Sequence, residues 1–164
     1  MQKFIISLLV HNQFGVLTRV SGMCARRGFN IDSLTVGETE DPEFSRMTVT
    51  MTGDEYARDQ IIVQLRKLHD VTEVKEMDPA AAVSRELMMI KVATSSETRQ
   101  EIMDAANVFR NKIIDYSPKS LCIEMTGESA KLNAFIELMR PYGIIEMCRT
   151  GLVSLDRGTT SLKA

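Results

Sequence analysis

The chain has 164 residues, 44% of them hydrophobic and 26% charged, a balance that supports a folded globular protein and excludes a disordered one. Twenty Lys and Arg against 22 Asp and Glu give a formal net charge of -2, so there is no basic footprint for nucleic acid or for anionic membranes. The opening apolar run, MQKFIISLLV, is too short to span a bilayer and no small-residue cleavage site follows it, which makes the cytoplasm the expected location.

Residues 4–10, FIISLLV, read as a strand covered on at least one face. A short loop carrying Asn12 and Gly15 follows, and then Val16, Val20, Met23, Cys24 and Arg27 recur at helical spacing. Gly15 stands where the strand hands over to the helix, so unpaired N–H groups of the first helical turn face out of the loop. That arrangement suits a small anion. A carboxylate gains only about 0.3–1 kcal/mol from an exposed helix dipole, and up to about 2 when partly buried, so specificity must come from neighbouring side chains. Asn12 and Asn30 are the nearest polar candidates; Asn12 also has an ordinary reading as a turn or cap residue, Gly15 as a turn former, and Val16 and Leu17 as core.

After a turn at Arg27-Gly28, residues 30–38 return to strand character, Asp41-Pro42 signals a turn, and residues 45–52 alternate Met47, Val49 and Met51 against Arg46, Thr48 and Thr50. Asp54 is the expected N-cap of a second helix with Ala57, Ile61, Leu65 and Leu68 inward, and residues 71–76 form a fourth strand. The order is βαββαβ. Residues 77–84, MDPAAAVS, break the periodicity and carry a proline, which marks a linker over 78–84.

The order then repeats: strand 86–93, helix 96–109 with Ile102, Ala106 and Phe109 inward, strands 112–116 and 121–126, helix 129–139 with Leu132, Phe135, Ile136 and Met139 inward, and strand 144–148. The expected domains are 1–77, and 85–164 with a short tail over 150–164 that ends in disorder. The fold class is α+β, two tandem ferredoxin-like βαββαβ units. A unit of about 75 to 80 residues buries only about 60% of its unfolded surface, so a dimer paired through free sheet edges is expected.

Enzymatic signatures are missing: no GxGxxG after a strand, no GxxxxGK[ST], no HExxH and no CxxC. Of the two histidines, His11 precedes Asn12 and reads either as a neighbour of a loop ligand or as a solvated residue, and His69 reads as a helix-end or surface residue. Cys24, Cys122 and Cys148 fall in apolar segments as buried free thiols, and Met23, Met47, Met51, Met103, Met125 and Met139 fall at core positions. The RNA-recognition motif shares the βαββαβ order, but the third strand, SRMTVTMT, offers no aromatic residue on which a base could stack.

HNQFGVLTRVSGMCARRGFNIDSLTVG resembles the ligand-binding portion of the ACT domain, a ferredoxin-like module that binds amino acids. RGFNIDSLTVG, TEDPEFSRMT, FRNKIIDYSP and RTGLVSLDRG together resemble the small regulatory subunits of acetolactate synthase over nearly the whole chain. The resemblance implies an N-terminal ACT domain and a non-catalytic subunit. Such a subunit activates a large catalytic partner and confers feedback inhibition by valine, or by leucine or isoleucine, in branched-chain amino-acid biosynthesis. It also implies that thiamine diphosphate, Mg and FAD belong to the large subunit and none to this one. The family's homodimers pair through their ACT domains, with effector sites at the interface. The matching positions are Asn12, Gly15, Val16 and Leu17, with Asn30 and Ile31 from the facing chain. A stand-alone ACT-type sensor acting on another partner is the alternative. The second half has Ala93-Thr94-Ser95-Ser96 in place of the Asn-x-x-Gly loop, and no effector site is assigned to it.

Overall fold

A computed structural model describes residues 1–162. The elements run β1 Gln2–His11, α1 Val16–Arg26, β2 Ser33–Glu38, β3 Phe44–Gly53, α2 Glu55–Leu65 and β4 Val71–Glu76. They continue as β5 Ala82–Ala93, α3 Arg99–Val108, β6 Lys112–Tyr116, β7 Ser120–Gly127, α4 Ser129–Met139, β8 Ile144–Arg149 and β9 Val153–Asp156. Two compact units result, one formed by Met1–Ser84 with the segment that starts at Gly151, the other by Arg85–Thr150.

The first sheet has the order β2-β3-β1-β4 and the second the order β6-β7-β5-β8, the same arrangement twice. Every pairing along both paths is antiparallel, with Ile6 opposite Val49 in the first sheet and Ile90 opposite Ile123 in the second. This is the ferredoxin-like fold anticipated from element order. Its first core is built by alternation: Phe4, Ile6, Leu8 and Val10 of β1 and Met47, Val49 and Met51 of β3 meet Val16, Val20, Met23 and Cys24 of α1 and Ile61 and Leu65 of α2. The second core sets Met88, Ile90 and Val92 against Ile102, Ala106, Leu132, Phe135 and Met139, with the Phe109 and Phe135 rings edge to face at 5.2 Å.

Asp54 caps α2 as expected, its carboxylate accepting the Ala57 N–H at 2.7 Å. Asp54→Ala leaves that donor without its partner and costs about 1 kcal/mol, to be read as a shift of the urea unfolding midpoint with an unchanged slope.

The opposite face of the first sheet is not open to solvent. Ser7, Thr48 and Thr50 point away from the core yet are buried. Along this face runs the segment from Gly151. Arg46 Nη2 donates to the Ser154 carbonyl at 2.9 Å, Lys75 Nζ pairs with Asp156 at 2.9 Å, and the Arg157 N–H donates to the Ala81 carbonyl. Residues 151–162 therefore pack with the first half, whereas the sequence placed all of 85–164 in the second. The strand β9 that begins this return is four residues long, too short for its alternation to stand out. The disorder expected at the end of the tail falls partly on residues 163–164, outside the described residues.

Smaller departures have local causes. The linker is shorter than 78–84, because β5 starts at Ala82; an Asx turn at Asp78 accepts the Ala80 N–H, and buried Met77 still donates to the Ile5 carbonyl. Cys24 is buried and its thiol is pushed up by desolvation, but Cys148 is exposed on β8, an edge strand with solvent along much of its length.

Candidate functional site

The loop between β1 and α1 is shaped by Gly15, which takes φ 81° at the N-cap position and brings no side chain to cap the helix. The first helical bond is Arg19 N–H to the Gly15 carbonyl, and the Val16 N–H turns back to the Gln13 carbonyl at 3.4 Å. The N–H groups of Leu17 and Thr18 thus have no acceptor within the helix and face the loop. Of the expected carboxylate donors, Val16 is the weak one, since its N–H is already directed at Gln13 and its side chain is core.

Asn12 is tied in place. Its Nδ2 donates to Glu38 Oε1 and to the Pro42 carbonyl, both at 3.0 Å, and its backbone N–H donates to the Glu43 carbonyl. Because both side-chain partners are acceptors, the amide nitrogen must face them, which leaves Oδ1 as the acceptor offered to a ligand. An open depression lined by Asn12, Gln13 and Phe14 lies beside it, with Phe14 fully exposed.

Arg19 is the charged side chain at this loop, and sequence reading passed over it. Its Nε donates to Asp70 at 2.5 Å, Nη2 donates to the Phe14 carbonyl at 3.3 Å, and Nη1 lies 2.9 Å from where a Cβ on Gly15 would stand. Asp70 is buried and its own carbonyl accepts the His11 N–H. The signal was available only as Arg19 one turn into a helix with an exposed face; its partner is 51 residues away.

Asn30 and Ile31 lie elsewhere. They follow the far end of α1, and an 11-residue helix separates them from Gly15 by about 16 Å. Asn30 is exposed and donates to Asp32 Oδ1 at 3.1 Å, while Ile31 packs against the edge of the core. One chain therefore brings Asn12, Gly15, Val16 and Leu17 together and keeps Asn30 and Ile31 apart from them. His11 stacks on Phe44 with ring centroids 5.2 Å apart, and His69 is exposed.

The corresponding loop of the second unit is closed by its own hydroxyls. Ser95 Oγ accepts the N–H groups of Glu97 and Thr98, and Thr98 Oγ1 accepts that of Ser95. These bonds shape the turn ahead of α3, whose N-cap residue Thr98 makes no side-chain bond to the helix.

These features accompany close similarity to known proteins. A model described as the small subunit of acetolactate synthase matches residues 85–158, and one described as an AHAS small subunit-like ACT domain matches residues 6–73. The chain belongs to the acetolactate synthase small-subunit family. It is 49% identical over 159 residues to the probable acetolactate synthase small subunit of Methanothermobacter thermautotrophicus, covering 96% of this chain and 95% of that one. It is 43% identical over 155 residues to the isozyme 3 small subunit of Escherichia coli, covering 94% and 95%. The crystal structure of the Thermotoga maritima acetolactate synthase small subunit superposes with a TM-score of 0.90 at 41% identity, over 98% of this chain and 100% of that one.

Among the described residues no group of three or more His, Cys, Asp and Glu converges to hold a metal ion, and no helix is long and apolar enough to cross a membrane. A roomier cavity of about 770 Å³ lies between the β2–β3 turn and the C-terminal segment, with Leu9, Arg46, Leu155 and Asp156 among its walls. Burial pushes the Arg46 guanidinium below its ordinary value, opposed by the nearby Asp156 carboxylate.

Proposed function

We propose that this small subunit is a non-catalytic regulator. It raises the activity of the large catalytic subunit of acetolactate synthase and makes it sensitive to feedback inhibition by valine, with overlapping responses to leucine and isoleucine. The observation that carries the reading is the geometry of the β1–α1 loop, where Gly15 at the N-cap leaves the Leu17 and Thr18 N–H donors open beside Asn12.

In this reading the effector's carboxylate meets the N–H groups from Gly15 to Leu17, and Asn12 Oδ1 accepts from its ammonium group. Its branched side chain lies against Leu17 of one chain and Ile31 of the other, beside Asn30. The separation along α1 supports a site shared by two chains, since one chain cannot converge both sets. The edge strand β2 supports the same geometry: pairing β2 with β2 across a two-fold axis sets the two α1 helices antiparallel, the start of one near the end of the other. The ACT unit at 1–77 thus forms the homodimer and the unit from 85 is left free for other contacts. A pocket of this kind discriminates one methylene by only about 1–3 kcal/mol, hence the overlapping effectors.

Regulation follows if valine binds one arrangement of the dimer or holoenzyme better than another, with a coupling of about 1–3 kcal/mol. Thiamine diphosphate, Mg and FAD are assigned to the large subunit, and the complex to the cytoplasm. Reconstitution with the large subunit, assayed for acetolactate with and without valine, tests the proposal; an unchanged rate on adding this chain overturns it. Asn30→Asp is expected to abolish valine inhibition while sparing activation, because the new carboxylate loses its bond to Asp32, stands against that like charge and unsettles the Asn30–Ile31 wall of the pocket. Full valine sensitivity in that variant would remove Asn30 from the site.

A further inference from the structure

Arg19 joins three parts of the loop region through one guanidinium. Nε is committed to the buried Asp70 carboxylate, Nη2 to the Phe14 carbonyl, and Nη1 rests against Gly15 with no acceptor among the described residues. Asp70 in turn is anchored by its neighbourhood: it immediately precedes β4, is 8% exposed, and its carbonyl holds the His11 N–H at the end of β1. The guanidinium is thus a brace from a fixed point of the sheet to the bend of the loop. About half of the Arg19 side chain, 48%, is exposed.

A planar fork braced at Nε keeps its remaining donors in a defined direction, which a lysine ammonium does not. The open donors of Leu17 and Thr18 and the free Nη1 edge of Arg19 border the same glycine. They form one electropositive rim whose complement is a carboxylate. Asp70 neutralises part of the charge but accepts at Nε, leaving Nη1 available.

We propose that Arg19 is the positioning and specificity residue of the effector loop: braced by Asp70, it holds the Gly15 bend and directs its Nη1 edge at the α-carboxylate of the amino acid. This rests on the effector site described under the proposed function, and it adds a charged side-chain donor, Arg19 Nη1, to the backbone N–H groups that meet the carboxylate there.

Calorimetric titration of the full chain separates these claims, using L-valine and L-valinamide, which keeps the side chain and the amine but has no anionic carboxylate. Wild type is expected to bind valine well and valinamide at least tenfold more weakly. Arg19→Met is expected to lose valine affinity by about tenfold or more, the scale of a lost charge-assisted hydrogen bond, while valinamide binding changes by less than about threefold. Arg19→Lys, which keeps charge without the fork, should fall between Met and wild type; Arg19→Gln serves in place of Met if that variant does not fold. Valine binding by the uncharged variant within threefold of wild type overturns the proposal and leaves the effector reading intact, and so does an equal loss for valine and valinamide, which marks a merely structural role. Wild type that binds neither compound overturns the effector reading itself, and the role of Arg19 with it.

Discussion

Gly151→Ala should lower the thermal unfolding midpoint by roughly 5–10 °C, since a Cβ there would make the closest contact of any glycine among the described residues. A Cβ at position 151 would stand 2.4 Å from Thr35 Oγ1 and 2.7 Å from the Leu34 carbonyl oxygen. The Thr35 hydroxyl could rotate away, but the Leu34 carbonyl belongs to the backbone of β2, which is paired with β3 through Leu34 and Val49. The strand cannot yield without disturbing that ladder, so the C-terminal segment must lift instead. Lifting it exposes the face that carries Ser7, Thr48 and Thr50 and strains the Lys75–Asp156 pair and the Arg46 bond to the Ser154 carbonyl. Overpacking of this kind costs about 1–3 kcal/mol. Gly37→Ala on the same strand is the control, because a Cβ there meets nothing within 4 Å and should shift the midpoint by less than a degree or two. Differential scanning fluorimetry of both variants decides the matter; equal midpoints would mean that the segment does not press on β2.

Gly15→Ala is expected to leave the chain folded and to weaken valine inhibition of the reconstituted enzyme by tenfold or more, with activation of the large subunit retained. Two effects combine. A residue with a Cβ held at φ 81° pays about 1–2 kcal/mol for the left-handed conformation, and the same Cβ would stand 2.9 Å from Arg19 Nη1. The guanidinium is the flexible party and gives way, loosening its bonds to Asp70 and the Phe14 carbonyl. Relief of the backbone strain by rotation of residue 15 would re-aim the Leu17 and Thr18 N–H groups. Either route spoils the loop without touching the core residue Val16. The measurement is the valine concentration for half-inhibition, taken beside the fold-activation by the same preparation. Inhibition at wild-type valine concentrations would refute the placement of the effector at this loop.

The parts of this structure that were legible in the sequence are those coded by neighbours a few residues apart. Met47, Val49 and Met51 alternate, so β3 was readable; Leu132, Phe135 and Met139 recur at helical spacing, and α4 was placed at residues 129–139, where it stands. Asp54 was readable as a cap because its acceptor lies next to the helix it serves. Boundaries were less secure where side chains replace regular backbone bonds. The helix expected from residue 96 begins at Arg99, since the Ser95 and Thr98 hydroxyls hold the intervening residues in a turn. Cys148 was read as buried because its segment is apolar, yet β8 lies at the edge of its sheet, and edge position is not a property of the segment.

For the candidate site, Asn12, Gly15 and Leu17 were visible as a loop at a helix start, but the partners that give them direction were not. Glu38 and Pro42, which orient the Asn12 amide, are 26 and 30 residues away, and Asp70 is 51 residues from Arg19. No periodicity links such positions.

Sequence alone determined the element order, its repetition, the uncapped glycine at the helix start and the family, because periodic burial and local hydrogen bonding are set within a turn or a strand. Tertiary structure alone decided three things: that residues 151–162 return to cover the second face of the first sheet, that Arg19 is braced by Asp70 over Gly15, and that Asn30 lies a helix length away from Asn12. Each depends on where distant stretches meet when the sheets close, and that is governed by which faces remain to be buried once the local elements have formed.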